Sequence, residues 1–148
     1  MKRSHHSKGG AGILFWRHGE SGAVEVLLGK RSKNMSHAPG KWSYFGGGLH
    51  SGEDFLACAY REAAEETANN DESVIKAREH FSELKPLMWL ILWPFYKYQT
   101  FSCEVIKEPK AWPRLDSTTA KSGWFVMDNL PEPLHSEARR AVGRLRRR

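Results

Sequence analysis

Between Gly46 and Thr67 the chain changes character within a few residues. GGGLHSGE, 46–53, is too glycine-rich for regular structure. DFLACAYREAAEET, 54–67, follows directly, rich in helix formers and free of glycine and proline. A helix therefore starts beside a loop that permits close backbone approach. That helix carries Glu62, Glu65 and Glu66 at i, i+3 and i+4. At ~100° per residue they share one face, where like charges repel. They also lie toward the C-terminal end, where the macrodipole disfavours anions. Arg61 pairs naturally with Glu65 at i+4, but one arginine does not neutralise three carboxylates. Two readings follow from the residues alone. One is a solvated acidic face, where surface charges cost little. The other is a site for a hard divalent cation such as Mg²⁺ or Mn²⁺, which prefers carboxylate oxygens and often bridges to substrate phosphates.

The rest of the chain supplies strands. Residues 1–10 read as a loose basic arm, and AGILFW, 11–16, as a strand. HGESG, 18–22, is a turn, and AVEVLLGKR, 23–31, is the returning strand of a hairpin. SKNMSHAPGK, 32–41, is a polar loop, and WSYF, 42–45, a short aromatic strand. Residues 68–83 hold a turn and a short irregular or helical piece. Strands follow around 87–93 and 96–106, then a proline-bearing loop over 107–123 and a short strand, WFVM, 124–127. From Ser136 the tail reads as a basic helix with Ala138, Ala141, Val142 and Leu145 on its apolar side. No repeat or linker divides the chain. Strands mixed with two helices predict an α/β fold, a sheet sandwiched between helices, with residues 11–148 as one domain.

The 148 residues suffice for one core, and 40% hydrophobic with 27% charged residues is ordinary for a globular protein. A net charge of +6 suits anionic partners such as nucleotides or nucleic acid, although much of the excess sits at the two ends. Cys58 and Cys103 form neither a CxxC zinc motif nor a disulfide framework, and a reducing cytoplasm is the simplest setting. The start, MKRSHHSKGG, lacks the apolar core of a signal peptide. LMWLILWPFY, 87–96, is about half the ~20 residues needed to span a bilayer. It reads as a buried strand region, and no membrane partner is expected.

Residues 47–69, GGLHSGEDFLACAYREAAEETAN, resemble the Nudix box, G-x5-E-x7-R-E-U-x-E-E-x-G-U, where U is bulky and aliphatic. Gly47, Glu53, Arg61, Glu62, Glu65 and Glu66 all fall in register. PGKWSYFGGGL is similar to the strand and loop that lead into the box. GWFVMDNLPEPLH, 123–135, resembles the late strand and leucine-proline turn of many Nudix domains. The box departs at Ala63, at Ala68 in place of glycine, and at Asn69 in place of the final aliphatic. Asparagine tolerates the positive φ that glycine normally supplies, so the helix end is expected to shift to Asn69 or Asn70. A further departure is Thr118, which stands where many relatives carry a glutamate. Asp116 is the only acid nearby, and Glu72, Glu79, Glu83 and Glu104 are other sources of a base.

The resemblance implies an α/β/α Nudix sandwich that hydrolyses a nucleoside diphosphate linked to another group X. It implies Glu62, Glu65 and Glu66 as ligands to Mg²⁺ or Mn²⁺, with the Gly47 carbonyl completing the shell. It implies Glu53 and Arg61 as a salt bridge that holds the loop to the helix, and Glu62 or Glu65 as the group that orients water. Around this box, Gly46 allows close approach by phosphate, and Lys30, Arg31 and Lys41 are placed to reach phosphates. Trp16, Tyr44, Phe45 and Trp89 are candidate base-stacking platforms, with core packing as the default for each. For His50 and His135 the default is the surface, and for Cys58 it is buried packing. The substrate expected is a small nucleotide: a (d)NTP, a nucleotide sugar, ADP-ribose or a dinucleoside polyphosphate. The alternatives are removal of pyrophosphate or a cap from RNA 5′ ends, favoured by the basic tails, and a Nudix-fold binding module without catalysis. The resemblance also allows a homodimer.

Overall fold

The computed structural model describes residues 8–92 and 94–148. The elements run β1 (Gly9–His18), β2 (Val24–Arg31), β3 (Trp42–Ser43), β4 (Phe45–Gly48), α1 (Phe55–Thr67), α2 (Glu72–Lys76), β5 (Lys85–Leu92), β6 (Tyr96–Glu104), β7 (Thr119–Val126) and α3 (Ser136–Arg146). Among the described residues they form one mixed seven-stranded sheet, with the order β3-β2-β1-β6-β5. β4 pairs with β1, and β7 with β2. The β1–β6 pair is parallel and the other strand pairs are antiparallel. This is the expected α/β/α sandwich.

Alternation along β1 builds both faces. Ala11, Ile13 and Phe15 face α1, in a core with Leu27, Phe81, Phe101 and Trp112. Leu14 faces α3, in a second core with Val26, Leu28, Leu87 and the helix residues Ala138, Ala141 and Val142. Such a period-two switch is what a strand covered on both sides requires. On α1 the small side chains Cys58, Ala59 and Ala63 are fully buried and let the helix lie close to the sheet. Phe15, Phe81 and Trp112 pack mutually, with centroids 4.9–5.6 Å apart.

Both ends of α1 are fixed. Asp54 caps the start by accepting from Ala57 N–H at 2.7 Å. At the other end Asn69 and Asn70 take φ of +51° and +67°. Asn70 N–H returns to the Ala64 carbonyl at 2.9 Å, and Arg114 N–H takes the Thr67 carbonyl at 2.7 Å. The exit thus falls on the two asparagines. Trp112 Nε1 donates to Thr67 Oγ1, tying the 107–118 loop to the helix end.

Four expectations need correction. The glycine run is regular structure: Gly46, Gly47 and Gly48 belong to β4 and pair with Gly12, Ala11 and Gly10 of β1. Glycine in a strand marks close approach by another group, as the site below makes plain. The arm ends earlier, because Gly9 and Gly10 are buried and already in β1; residues 1–7 lie outside the described residues. The late strand starts at Thr119, inside the segment read as a loop, because β2 offers it a partner along its whole length. The apolar run after Leu87 is not buried. Leu87 and Met88 are core, but β5 is an edge strand and its distal half faces solvent.

The asparagine exit yields a test. Asn70→Val is expected to lower the unfolding free energy by about 1–2 kcal/mol, the cost of forcing a branched residue into left-handed backbone. Asn70→Gly should be close to neutral. Urea unfolding of the three proteins checks this.

Candidate active site

The site begins at the β4–α1 junction. A Cβ on Gly47 would collide with the Glu62 carboxylate, and one on Gly46 with the Tyr98 hydroxyl and the Ala11 carbonyl. The glycines are therefore the room in which neighbouring groups sit. Glu62 is fully buried and Glu66 is 6% exposed, while Glu65 is partly exposed. Cys58 Sγ–H approaches the Gly47 and Gly48 carbonyls at 3.6 and 3.5 Å, and burial pushes its thiol up to about 12. The cysteine is a packed donor and not a nucleophile.

Arg61 is the hub. Its Nε and Nη2 grip both oxygens of Glu53 at 2.7 and 2.9 Å. Nη2 also donates to the Gly48 carbonyl at 2.8 Å. Nη1 reaches Glu62 Oε2 at 3.0 Å and Glu65 Oε2 at 2.9 Å. One side chain thus joins the loop, β4 and two carboxylates of the helix. Burial works against its charge, but the carboxyl groups of Glu53, Glu65 and Glu62 outweigh that and raise its pKa. Burial likewise opposes ionisation of Glu53, and the Arg61 bonds and the His50 N–H outweigh it, so its pKa falls below the usual value.

Glu62 and Glu65 converge on one guanidinium nitrogen, the Glu62 carboxylate lies against Gly47 of the glycine strand, and Glu66 follows on the same helix. This donor chemistry fits a divalent cation. Among the described residues no three His, Cys, Asp or Glu side chains form a ready-made metal cage. The carboxylates are instead drawn onto Arg61.

A model of the NUDIX domain family matches residues 7–145. The chain belongs to the Nudix family. No curated protein matches it. Among solved structures it is similar to the Nudix hydrolase RenU of M. smegmatis, at 25% identity and TM-score 0.70, covering 94% of this chain and 83% of that one. The MutT Nudix hydrolase of Burkholderia pseudomallei has 21% identity and TM-score 0.70, with 93% and 96% covered. The C. elegans Ap4A hydrolase in a binary complex has 18% identity and TM-score 0.69, again with 93% and 96% covered. The chain is a Nudix hydrolase, and its Nudix box is the β4–α1 junction just described.

The Nudix box residues Gly47, Glu53, Arg61, Glu62, Glu65 and Glu66 lie on or beside one helix. The flanking candidates scatter. Tyr44 is buried against the α3 side and its hydroxyl bonds Thr100 Oγ1 at 2.8 Å; burial raises its pKa to about 12. Phe45 is buried on the α1 side beside Phe15. Neither is a free platform, because alternating strand residues are claimed by the two cores. Trp16 is partly buried against the α3 core. Trp89 is exposed, edge-on to Phe55 at 4.9 Å. Arg31 spends its Nε on the His37 carbonyl, within the 32–41 loop whose base it shares with Lys41. Asp116 accepts from the Thr118 hydroxyl and N–H in a local turn. Glu72 pairs with Lys76. Glu104 lines a separate pocket with Trp16, Ser102 and Arg148.

The sequence reading did not foresee Tyr98. Its hydroxyl lies over Gly46 and Gly12, and burial raises its pKa well above the usual value. The alternation of Tyr96 and Tyr98 in β6 was the available signal. Nor are the two histidines simple surface residues. The backbone N–H of His50 holds Glu53 at 2.9 Å, and its Nε2 is buried without a hydrogen-bond partner among the described residues. His135 caps α3 through Nδ1.

Two outcomes are expected. Because the Glu53 pKa is depressed, its contribution to stability is complete above about pH 4.5 and is lost as pH falls through the lower folded value. Urea midpoints followed into acid should therefore fall more steeply for the wild type than for Glu53→Gln. Arg61→Ala removes an ion pair from each of Glu53, Glu62 and Glu65, the second of them fully buried, and is expected to cost about 3–5 kcal/mol by urea unfolding.

Proposed function

We propose that this Nudix hydrolase cleaves the phosphoanhydride of a nucleoside diphosphate linked to a second group X, in a Mg²⁺- or Mn²⁺-dependent reaction. The observation that carries the reading is the convergence of Glu62 and Glu65 on a single point beside glycine-lined β4. Glu62, Glu65 and Glu66, with the Gly47 carbonyl, are the groups that would hold the cation. A bound cation neutralises pyrophosphate charge and lowers the pKa of a water. Water oxygen then bonds to phosphorus, the bridging P–O bond breaks, and the bridging oxygen leaves with one phosphate.

The protein's own residues position this chemistry. Arg61 and Glu53 fix the loop so that the Gly47 and Gly48 carbonyls keep their place against the helix. Glu62 or Glu65 accepts a hydrogen bond from the attacking water and orients it. Asp116, engaged by Thr118, is a weaker candidate for that task. The cations at the base of the 32–41 loop, partly exposed Arg31 and exposed Lys41, suit the distal phosphates. The substrate class is a small nucleotide: a (d)NTP, a nucleotide sugar, ADP-ribose or a dinucleoside polyphosphate. The C. elegans Ap4A hydrolase shares the fold and so keeps the last class on the list.

A second reading is action on RNA 5′ ends. What favours it is the outer face of α3, where Arg139, Arg140, Arg144 and Arg147 are all exposed. Arg139 and Arg140 also face Glu132 and Glu137, which weakens their claim on a phosphate backbone. Cys58 and Cys103 are free and buried, and no helix among the described residues is long and apolar enough to cross a membrane.

The test is product release from a panel of (d)NTPs, ADP-ribose, nucleotide sugars, dinucleoside polyphosphates and triphosphorylated RNA, with Mg²⁺, Mn²⁺ or chelator. Cleavage is expected with metal and not with chelator. Glu66→Gln should abolish it, and Glu53→Gln should reduce it about 10–100-fold by loosening the loop. RNA cleavage that falls steeply with salt would establish the second reading. Metal binding by folded protein without turnover of any substrate would leave a binding module instead.

A further inference from the structure

Two histidines outside the Nudix box stand ring to ring. His37 lies in the 32–41 loop and His135 immediately precedes α3, and their Nε2 atoms are 3.3 Å apart. Each residue is anchored by its own backbone. His135 N–H donates to the Trp42 carbonyl at 2.8 Å, beside β3. The His37 carbonyl accepts from Arg31 Nε at 2.8 Å. Within the loop, Met35 N–H bonds the Ser32 carbonyl and Gly40 N–H the Arg31 carbonyl. The imidazole pair therefore joins the middle of this loop to the entry of α3.

The hydrogen bonds fix which nitrogens carry protons. Glu137 N–H donates to His135 Nδ1 at 3.0 Å, so that nitrogen presents a lone pair. Neutral His135 then holds its proton on Nε2 and donates it to His37 Nε2. His37 in turn carries its proton on Nδ1. No further proton fits this arrangement. On His37 it would go to Nε2 and face the Nε2–H of His135. On His135 it would go to Nδ1 and face the Glu137 N–H. His135 cannot change tautomer to accept a bond, because Nδ1 is committed to capping α3. The same commitment disfavours a metal ion shared by the pair, which would need both Nε2 lone pairs.

We infer that the His37–His135 bond is a proton-sensitive latch, closed while both imidazoles are neutral and opened when either is protonated, so that mild acid releases the 32–41 loop from α3. The surroundings favour the closed form. Burial lowers the pKa of His135, and His37, Lys41 and Arg31 add to that against an opposing pull from Glu137. On the elements around it, Lys121 of β7 lies over the Trp42 ring, Arg139 pairs with Glu132, and Arg140 with Glu137. Because the folded pKa of His135 lies below the ordinary 6.5, the stabilisation is complete above that pH and is lost as pH falls through the lower folded value. Release frees the backbone between Arg31 and Lys41, the cations proposed for the distal phosphates. Only this consequence for substrate rests on the proposed function.

The latch is tested on the full chain without substrate, so its failure and that of the hydrolase reading are separate results. Nitrogen-15 NMR of the imidazoles at about pH 8 should show His135 protonated on Nε2 and His37 on Nδ1. Amide protection factors, which remove the intrinsic pH dependence of exchange, should fall for Met35 and Gly40 by about 2–10-fold between about pH 8 and pH 5, the net worth of one hydrogen bond. Those of β1 should not change. His37→Ala and His135→Asn should show the low values at both pH values. Asparagine is itself a good N-cap, so His135→Asn keeps α3, which circular dichroism checks. A His135 proton on Nδ1 at the higher pH overturns the inference. So does wild-type loop protection that is the same at both pH values, or a fall that persists in His37→Ala.

Discussion

The Arg61 guanidinium holds the site together. It is a largely buried cation in contact with Glu53, Glu62 and Glu65, and it also holds the Gly48 carbonyl. Glu62 has no solvent exposure, and a buried carboxylate without a partner carries a large desolvation penalty. A guanidinium suits the position better than an ammonium would. Its planar fork takes both oxygens of Glu53 with Nε and Nη2 while Nη1 remains for the helix. One cation standing among four carboxyl groups, with Glu66 alongside, still leaves the site acidic. That excess is the electrostatic reason the site suits the proposed divalent cation, and such an ion would account for a crowded helix face that propensity alone would disfavour.

The clamp works only because β4 has no side chains in the way. A methyl at Gly47 would occupy the place of the Glu62 carboxylate, and one at Gly46 the place of the Tyr98 hydroxyl. The glycine strand admits a buried acid on one face and a buried phenol on the other. β1 supplies the ladder that holds this strand, with Gly10 and Gly12 opposite Gly48 and Gly46. The three glycines are thus a packing device first, and access for a ligand follows from the same absence of Cβ.

Much of this was legible in the sequence because it is local. The spacing of Glu53, Arg61, Glu62 and Glu65 within one helix and its preceding loop is fixed by helix geometry, and so is the exit at Asn69 and Asn70. What the sequence concealed depends on partners far along the chain. GGG reads as a loop until β1 is known to lie beside it. Tyr44 and Phe45 stay open as candidate platforms, with core packing the default, until both sheet faces are known to be covered, by α3 and α1. Thr119 to Gly123 read as a loop because their strand character comes from pairing with β2. The run after Leu87 reads as buried from hydropathy alone, but strand order decides burial, and β5 comes last in that order.

The edge and the Nudix box are also physically joined. Phe55 is the first residue of α1 and packs edge-on against Trp89 of β5, while its neighbour Asp54 caps the helix and Glu53 is held by Arg61. Three consecutive residues therefore tie the start of the helix to the edge strand, to the helix's own amides and to the clamp. The entry of the chain into α1 is determined from three directions, and the register of Glu62, Glu65 and Glu66 on the next turns follows from that entry. A helix pinned this way at its start, and closed by Asn70 and Arg114 at its end, has little freedom to rotate. That rigidity is what keeps carboxylates that repel one another aligned toward the same point.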